Sequence, residues 1–124
     1  MTIDVPELPP NNSTYSQAVR VGDLVFVSGQ LGVDPLTRRL LPGGIEAQTS
    51  QAIDNLATIL AAAGTGLERV AKVNIFLTDF TLLPAMNGVY ALRFPHRPAK
   101  TTVEIARLDK DALIEIEVIA SASE

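Results

Sequence analysis

Two runs near the end of the chain place an ammonium group and several carboxyl groups on one predicted sheet. Runs 98–108 and 113–120 alternate in the way typical of β-strands, whose side chains point to opposite faces in turn. The polar face is predicted to carry Lys100, Thr102, Glu104, Glu115 and Glu117. Such groups can bind an anion and transfer a proton, or they can form the ion pairs that stabilise ordinary sheets. A catalytic cleft and a structural ion pair between Lys100 and Glu115 both remain open.

Composition excludes several other kinds of chemistry. The chain has no cysteine, and His96 is its only histidine, which excludes disulfides, thiolate nucleophiles and zinc sites built from cysteine or clustered histidine. His96 lies in a proline-rich segment and no Ser-His-acid set is evident, so Ser28 is expected to be structural rather than nucleophilic. Gly29 is expected to permit close approach of the backbone rather than to form a phosphate loop. No metal or cofactor is expected.

The charge balance limits the partners. Lys and Arg number 10 and Asp and Glu number 14, giving a net charge of −4 with no basic run, so nucleic acid is not expected as a partner. The acidic, proline-rich start lacks the features of a signal peptide, and no window approaches the roughly 18 apolar residues of a membrane span. With the absence of cysteine, these features favour a cytoplasmic protein.

The remaining pattern alternates strands with helices. At 124 residues the chain is expected to form a single domain, 1–124, in which 1–13 is an extended or flexible tail and order begins near Tyr15. Strands are predicted at Leu24–Gln30 and Val70–Leu77, and helices from Gly44 to Ala63, before Gly64, and from Asp79 or Thr81 to Phe94.

These elements predict an α+β fold of order β-β-α-β-α-β-β, with both helices packed on one apolar face of the sheet. Thr101, Val103 and Ile105 are expected on that core face. The opposite face would combine Phe26 and Phe76 with the charged residues of the last two strands. Such a face is either solvated or covered by a second subunit, and the exposed aromatic residues favour the subunit.

Short blocks that span nearly the whole chain carry a family resemblance. They are Tyr15-Ser-Gln-Ala-Val19, Val27-Ser-Gly-Gln30, Ala52-Ile-Asp-Asn-Leu56, Asn87-Gly-Val-Tyr90, Pro98-Ala99, Val103-Glu-Ile-Ala-Arg-Leu108 and Ile114-Glu-Ile-Glu117. In this order and separation the blocks closely resemble the RidA/YjgF family. The resemblance implies a chorismate-mutase-like fold with a mixed sheet, and a homotrimer with a small-molecule cleft at each subunit interface.

The resemblance also implies an activity and a site. Many members hydrolyse reactive 2-imino or enamine acids to 2-oxo acids and ammonia without a metal or cofactor, so the implied partners are small carboxylate-bearing imines, enamines and 2-oxo acids. By resemblance, Tyr15 would form a wall of the cleft, the Ser28 and Gly29 backbone would line it and Asn87 would lie close by. Glu115 would orient or activate the attacking water.

One position departs from the family pattern. Active members are expected to carry an arginine after Pro-Ala that binds the substrate carboxylate, and Lys100 stands there; Thr102 likewise replaces a frequent cysteine. A lysine is a point charge on a flexible stem and lacks the planar fork of arginine, so reduced or altered activity is expected. A non-catalytic metabolite-binding module and a chaperone-like trimer remain alternatives. A Schiff base on Lys100 would require a dry cleft.

Overall fold

The computed structural model describes residues 1–8 and 14–122, which contain one six-stranded sheet and two α-helices. The strands are β1 (Thr2–Ile3), β2 (Ala18–Val21), β3 (Leu24–Leu31), β4 (Val70–Leu77), β5 (Ala99–Glu104) and β6 (Ile114–Ser121). The helices are α1 (Gly44–Ala62) and α2 (Leu83–Arg93), and short 3₁₀ turns occupy Leu67–Arg69, Phe80–Leu82 and Asp109–Asp111.

The sheet is mixed, in the order β1-β2-β3-β6-β4-β5. All neighbouring pairs are antiparallel except β4 and β5, which run parallel. A parallel pair needs a crossover connection, and α2 provides it between β4 and β5. The predicted α+β order is therefore confirmed, with β1 as an addition to it.

Both helices lie on the same face of the sheet, called here the helix face; the other is the open face. Alternation along β4 and β6 supplies the buried side chains of the helix face, and α1 covers them with its own apolar stripe. The central residues of this core are Val73, Ile75, Leu77, Ile114, Ile116, Leu56 and Ile59. Gly64 follows the end of α1 with a φ of 82°, in the left-handed region that a terminating glycine adopts.

The expectation that order begins near Tyr15 is wrong for residues 1–8. Thr2 and Ile3 pair with β2, and the side chains of Ile3, Val5 and Leu8 are buried. The Gln17 side chain holds this segment, because its Oε1 accepts a hydrogen bond from the Val5 N–H while its Nε2 donates to the Val5 carbonyl. Residues 9–13, the rest of the predicted tail, lie outside the described residues. Within the described ranges, neither helix has the length and apolarity that a membrane span requires.

Candidate functional site

The register of β5 corrects the predicted arrangement of the charged residues. Lys100 is paired with Val73 and Thr102 with Ile75, and cross-strand partners point to the same face. Lys100, Thr102 and, by the same alternation, Glu104 therefore lie on the helix face. The prediction that Lys100 and Glu104 share a face with Glu115 is wrong. Thr101 and Val103, which were expected in the core, lie on the open face with Asn74 and Phe76.

Glu115 lies on the open face, where the backbone of β3 approaches it closely. It is paired with Phe76 of β4 and with Leu31 of β3. The β3 register shifts between Val27 and Gln30, so Ser28 and Gly29 form a bulge beside Glu115. A Cβ atom on Gly29 would lie 2.5 Å from the Glu115 Cδ, so any side chain at this position would force the end of the Glu115 side chain to shift. Gly29 does permit a close approach, as expected, and the approaching group is the Glu115 carboxyl.

The surroundings of Glu115 favour its protonated form. Partial burial is the main cause that raises the pKa of the Glu115 carboxyl, and the negative charges of Glu117 and Asp109 act in the same direction. Glu117 itself accepts a hydrogen bond from Asn74 Nδ2 at 3.2 Å. A half-buried carboxyl with a raised pKa exchanges its proton closer to neutral pH than an ordinary glutamate, which suits a group that transfers protons.

Ser28 has the structural role that the sequence predicted. Its hydroxyl donates to the Ser16 carbonyl at 2.6 Å, and its backbone N–H donates to the Gln17 carbonyl at 2.9 Å. These bonds attach the segment before β2 to the bulge of β3. Tyr15 precedes Ser16 and is 53% exposed, so it lies near the bulge with much of its side chain at the surface. A role for Tyr15 as a cleft wall stays a prediction.

Lys100 forms a second cluster, with α2 at the edge of the sheet. Its Nζ donates to Asn87 Oδ1 at 2.9 Å and lies 4.6 Å from the centroid of the Tyr90 ring. Asn87 and Tyr90 are three residues apart on α2 and therefore occupy neighbouring positions on one face of the helix. Desolvation by burial lowers the pKa of Lys100, while the amide oxygen and the ring stabilise its ammonium form.

Two buried hydroxyls belong to this cluster. The Thr102 Oγ1 and the Tyr90 hydroxyl are both inaccessible to solvent and have no hydrogen-bond partner within residues 1–8 and 14–122. Buried polar groups are normally paired, so these two hydroxyls are exceptions within the described residues. The sequence named Thr102 and Asn87 as candidate binding residues, and that role stays a prediction; its helical spacing marked Tyr90 only as a core residue. The signal that was available is its position three residues after Asn87.

A single protomer does not bring the two clusters together. Lys100 of β5 is in register with Val73 of β4, which is paired in turn with Val118 of β6. Glu115 lies three residues before Val118, so it is two strands and three residues away from Lys100. Their Cα atoms are thus about 14 Å apart, and the side chains point to opposite faces. Lys100 contacts Asn87 instead, so an ion pair between Lys100 and Glu115 within one protomer is also wrong.

The open face, which carries Glu115, exposes apolar side chains. Phe26 and Phe76 lie on it, as predicted from the sequence. Large apolar residues of this face that are more than a third exposed are Val19, Val21, Leu24, Phe26 and Val103. Exposed apolar side chains of this kind are typical of a subunit or ligand interface. Among the residues that the structure describes, no three acidic or histidine side chains are grouped so as to hold a metal ion.

Comparison with known proteins identifies the family. The sequence profile described as Endoribonuclease L-PSP, which represents the RidA/YjgF proteins, matches residues 6–122. The chain belongs to the RidA/YjgF family. It is 45% identical over 121 residues to a RutC family protein of Sulfurisphaera tokodaii, with 97% of each chain covered. It is 40% identical over 118 residues to a 2-iminobutanoate/2-iminopropanoate deaminase of Dermatophagoides farinae, with 94% of this chain and 92% of the relative covered.

Solved structures of RidA/YjgF relatives share the whole fold. A putative endoribonuclease from Thermotoga maritima superposes with a TM-score of 0.95 at 40% identity, covering 100% of this chain and 98% of its own. E. coli TdcF with bound serine superposes with a TM-score of 0.92 at 33% identity, covering 99% of each chain. These matches agree with the chorismate-mutase-like fold that the family resemblance implied.

Proposed function

We propose that this RidA-family chain hydrolyses small 2-imino or enamine acids to 2-oxo acids and ammonia, in clefts between the subunits of a cytoplasmic homotrimer. Relatives named as 2-iminobutanoate/2-iminopropanoate deaminases support the reaction, since they align over nearly the whole chain. The serine bound to E. coli TdcF supports a ligand with a carboxylate and a nitrogen on the adjacent carbon. The proposed reaction needs no cofactor.

The observation that carries the proposal is the separation of Lys100 from Glu115. Each protomer presents a cation cluster at the β5 edge on its helix face and a carboxyl cluster on its open face. A cleft that uses both residues must take them from different subunits. The exposed apolar side chains on the same open face give a neighbouring subunit a surface to cover. Each site of the trimer would then combine Glu115 of one subunit with Lys100 of the next.

The chemistry of this cleft requires few groups. Lys100 binds the carboxylate of the 2-imino acid, which places the C=N carbon near Glu115. The Glu115 carboxylate accepts a proton from water as the water oxygen forms a bond to that carbon, and it returns the proton to the nitrogen. Glu115 then carries the remaining hydroxyl proton to the nitrogen as the C–N bond breaks, so the water oxygen becomes the carbonyl oxygen and both water protons leave on ammonia. The raised pKa of Glu115 makes it a better proton acceptor than an ordinary carboxylate.

In this proposal, the identity of residue 100 determines how fast the imine is hydrolysed. An ammonium group binds a carboxylate as a point charge, while arginine offers two parallel N–H donors that fix its orientation. The native protein is therefore proposed to be a slower deaminase than its Lys100→Arg variant. Desolvation lowers the pKa of Lys100, as a Schiff base would require, whereas the hydrogen bond to Asn87 Oδ1 and the Tyr90 ring favour the ammonium form that binds a carboxylate.

A trapping assay tests this function. A partner enzyme releases 2-iminobutanoate in the presence of semicarbazide, and hydrolysis by the added protein reduces semicarbazone formation. We expect reduction by wild type, greater reduction by Lys100→Arg and none by Glu115→Gln. Lys110→Arg, which makes the same change at an exposed lysine of a loop, should match wild type.

The remaining outcomes contradict the proposal in distinguishable ways. If only Lys100→Arg competes with the trap, the native protein is not a deaminase. If neither protein competes but wild type binds 2-oxobutanoate, metabolite binding without catalysis replaces hydrolysis. The trimer is tested separately by the mass in solution, because a species at 13.2 kDa would be a monomer.

A further inference from the structure

Helix α2 contacts the Lys100 ammonium through the ring of Tyr90. We propose that Tyr90 is a positioning residue: its ring, together with the Asn87 amide oxygen, holds the Lys100 ammonium so that its remaining N–H is directed at a ligand carboxylate. Tyr90 acts through Lys100 and does not itself take part in the reaction. The identity of the ligand, a small 2-imino or 2-oxo acid, rests on the proposed function, whereas the role of the ring does not.

A lysine side chain has no rigid geometry that directs its charge. Its ammonium carries three N–H donors on a four-carbon stem with free rotation, so the side chain alone gives the charge no fixed direction. In the structure, Asn87 Oδ1 accepts one donor at 2.9 Å. The Tyr90 ring centroid lies 4.6 Å from the Nζ, within the roughly 6 Å at which an aromatic face attracts a cation. Two sides of the ammonium are therefore occupied by fixed groups.

The ring that holds Lys100 is itself fixed by the core. Tyr90 is only 8% exposed, and its ring stacks on Phe94 with centroids 4.7 Å apart and an interplanar angle of 26°. Phe94 is 1% exposed and closes the end of α2 through its N–H bond to the Tyr90 carbonyl. A contact built on a packed helix positions a neighbouring group more accurately than one on a loop.

The ring of Tyr90, and not its hydroxyl, makes the contacts that position Lys100. The Tyr90 hydroxyl makes no hydrogen bond to any residue that the structure describes, whereas the ring contacts both Lys100 and Phe94. A residue that only fills the core would affect stability without changing the properties of Lys100. The two roles therefore predict different results when the ring is kept, removed or altered in its electrostatics.

Binding measurements separate the two roles. Calorimetry with 2-oxobutanoate is performed on wild type, Tyr90→Phe, Tyr90→Leu and a protein with pentafluorophenylalanine at position 90, each also in a Lys100→Met background. We expect binding to weaken about three- to tenfold with Tyr90→Leu and with the fluorinated ring, whose face no longer attracts a cation, and to stay unchanged with Tyr90→Phe. In the Lys100→Met background these differences should vanish. Equal losses in both backgrounds would show a packing role and overturn the inference.

A measurement without ligand keeps the test independent of the proposed function. Reductive methylation followed by mass spectrometry of peptides gives the rate at Lys100 relative to Lys110. We expect the relative rate at Lys100 to rise several-fold with Tyr90→Leu and with the fluorinated ring and to stay unchanged with Tyr90→Phe. The fluorinated ring keeps the shape of phenylalanine, so the test does not depend on the folding of the leucine variant.

The two failures are distinguishable. Unchanged methylation and binding in all variants would overturn the role of Tyr90 even if the protein hydrolyses imines. Coupling between Tyr90 and Lys100 in a protein without imine hydrolysis would instead support the positioning role and contradict only the proposed reaction.

Discussion

Gly29 and Glu115 share one confined space between β3 and β6. A Cβ on Gly29 would lie 2.5 Å from the Glu115 Cδ and 2.9 Å from its Oε1. The carboxyl keeps this position because residue 29 has no side chain, and a Cβ there would push the flexible end of Glu115 aside. The position of the proposed proton-transferring group thus depends on a backbone feature of the neighbouring strand.

Gly29→Ala should impair catalysis far more than it impairs folding. The added methyl group must displace the flexible end of Glu115, and a displacement of about 1 Å costs about a hundredfold in rate. We expect kcat to fall about a hundredfold while the free energy of unfolding falls by about 1 to 2 kcal/mol. Single-turnover hydrolysis and urea denaturation measure the two effects.

Gly64→Ala is the matched control for this prediction. Gly64 has a φ of 82°, so alanine there is strained and should cost about 1 to 2 kcal/mol of stability. It follows α1, outside both clusters, so its kcat should remain that of wild type. A similar loss of kcat in the two variants would contradict the role assigned to Gly29.

Glu115→Gln should stabilise the protein at neutral pH. Burial and the nearby charges raise the pKa of Glu115 in the folded state, so the folded chain binds this proton more tightly than the unfolded chain. Ionised Glu115 then lowers stability at pH values above its pKa, and this cost is absent below its ordinary pKa of 4.5. The gain from Glu115→Gln should accordingly shrink on acidification. Urea denaturation of both proteins at neutral and acidic pH, at one protein concentration, measures this gain in the free energy of unfolding. A gain that grows on acidification would contradict the raised pKa of Glu115.

Glu117→Gln should move the pH dependence of hydrolysis. The negative charge of Glu117 raises the pKa of Glu115, so its removal should lower that pKa. Because the Glu115 carboxylate is the proposed proton acceptor, the acid limb of the kcat/KM profile should shift to lower pH. Glu68→Gln, which removes an exposed charge from the 3₁₀ turn 67–69, serves as the control. It should not change the pH at which the acid limb of the kcat/KM profile falls. A shift to higher pH would contradict the assignment.

Asn55→Leu should destabilise the fold without entering the chemistry. Asn55 is buried in α1, and its Nδ2 donates to the carbonyls of Leu31 and Val33 at 3.2 and 3.0 Å. Leucine would leave both carbonyls unpaired, so we expect a loss of about 2 to 4 kcal/mol in urea denaturation. Thr58→Ala, one turn later on the exposed side of α1, should change stability by less than about 0.5 kcal/mol. Equal losses of stability in Asn55→Leu and Thr58→Ala would show that the two hydrogen bonds of Asn55 do not stabilise the fold.

Elements with strong local patterns were predictable from the sequence. The bounds of β4 agree with the predicted Val70–Leu77, and α1 ends at Ala62, one residue before its predicted end. In both elements one face is fully buried, so periodicity alone identifies it. Gly64 marked the end of α1 because few other residues adopt its positive φ.

The orientation of β5 was not predictable, because the decisive contacts lie in another strand. In the sequence, Thr101 and Val103 form the more apolar set of β5, which is compatible with a core face. Lys100 and Thr102 form the more polar set, which is typical of a surface. At an edge strand, however, both faces are partly exposed, and the register with β4 decides which residues turn toward the helices. Single-sequence alternation therefore assigned β5 to the wrong face.

Contacts between distant residues account for the other differences. The bond between Gln17 and Val5 orders a segment that the prolines suggested was a tail, and nothing local to residues 1–8 indicates it. The contact of Tyr90 with Lys100 likewise depends on how α2 packs beside β5. Helical spacing showed that Tyr90 would be buried, but not that its ring would face a charge.

The central claim is that each site joins Lys100 of one subunit to Glu115 of another. Lys100→Ala and Glu115→Gln each remove one half of the site, so each protein alone should be inactive in the trapping assay. Unfolding the two together and refolding them produces mixed trimers, in which some interfaces carry an intact Glu115 from one variant and an intact Lys100 from the other. The same assay applied to the mixture measures this directly: recovery of about a quarter of the wild-type activity is the result we predict for random assembly of equal amounts. Verified mixed trimers that stay as inactive as the separate variants would contradict the claim.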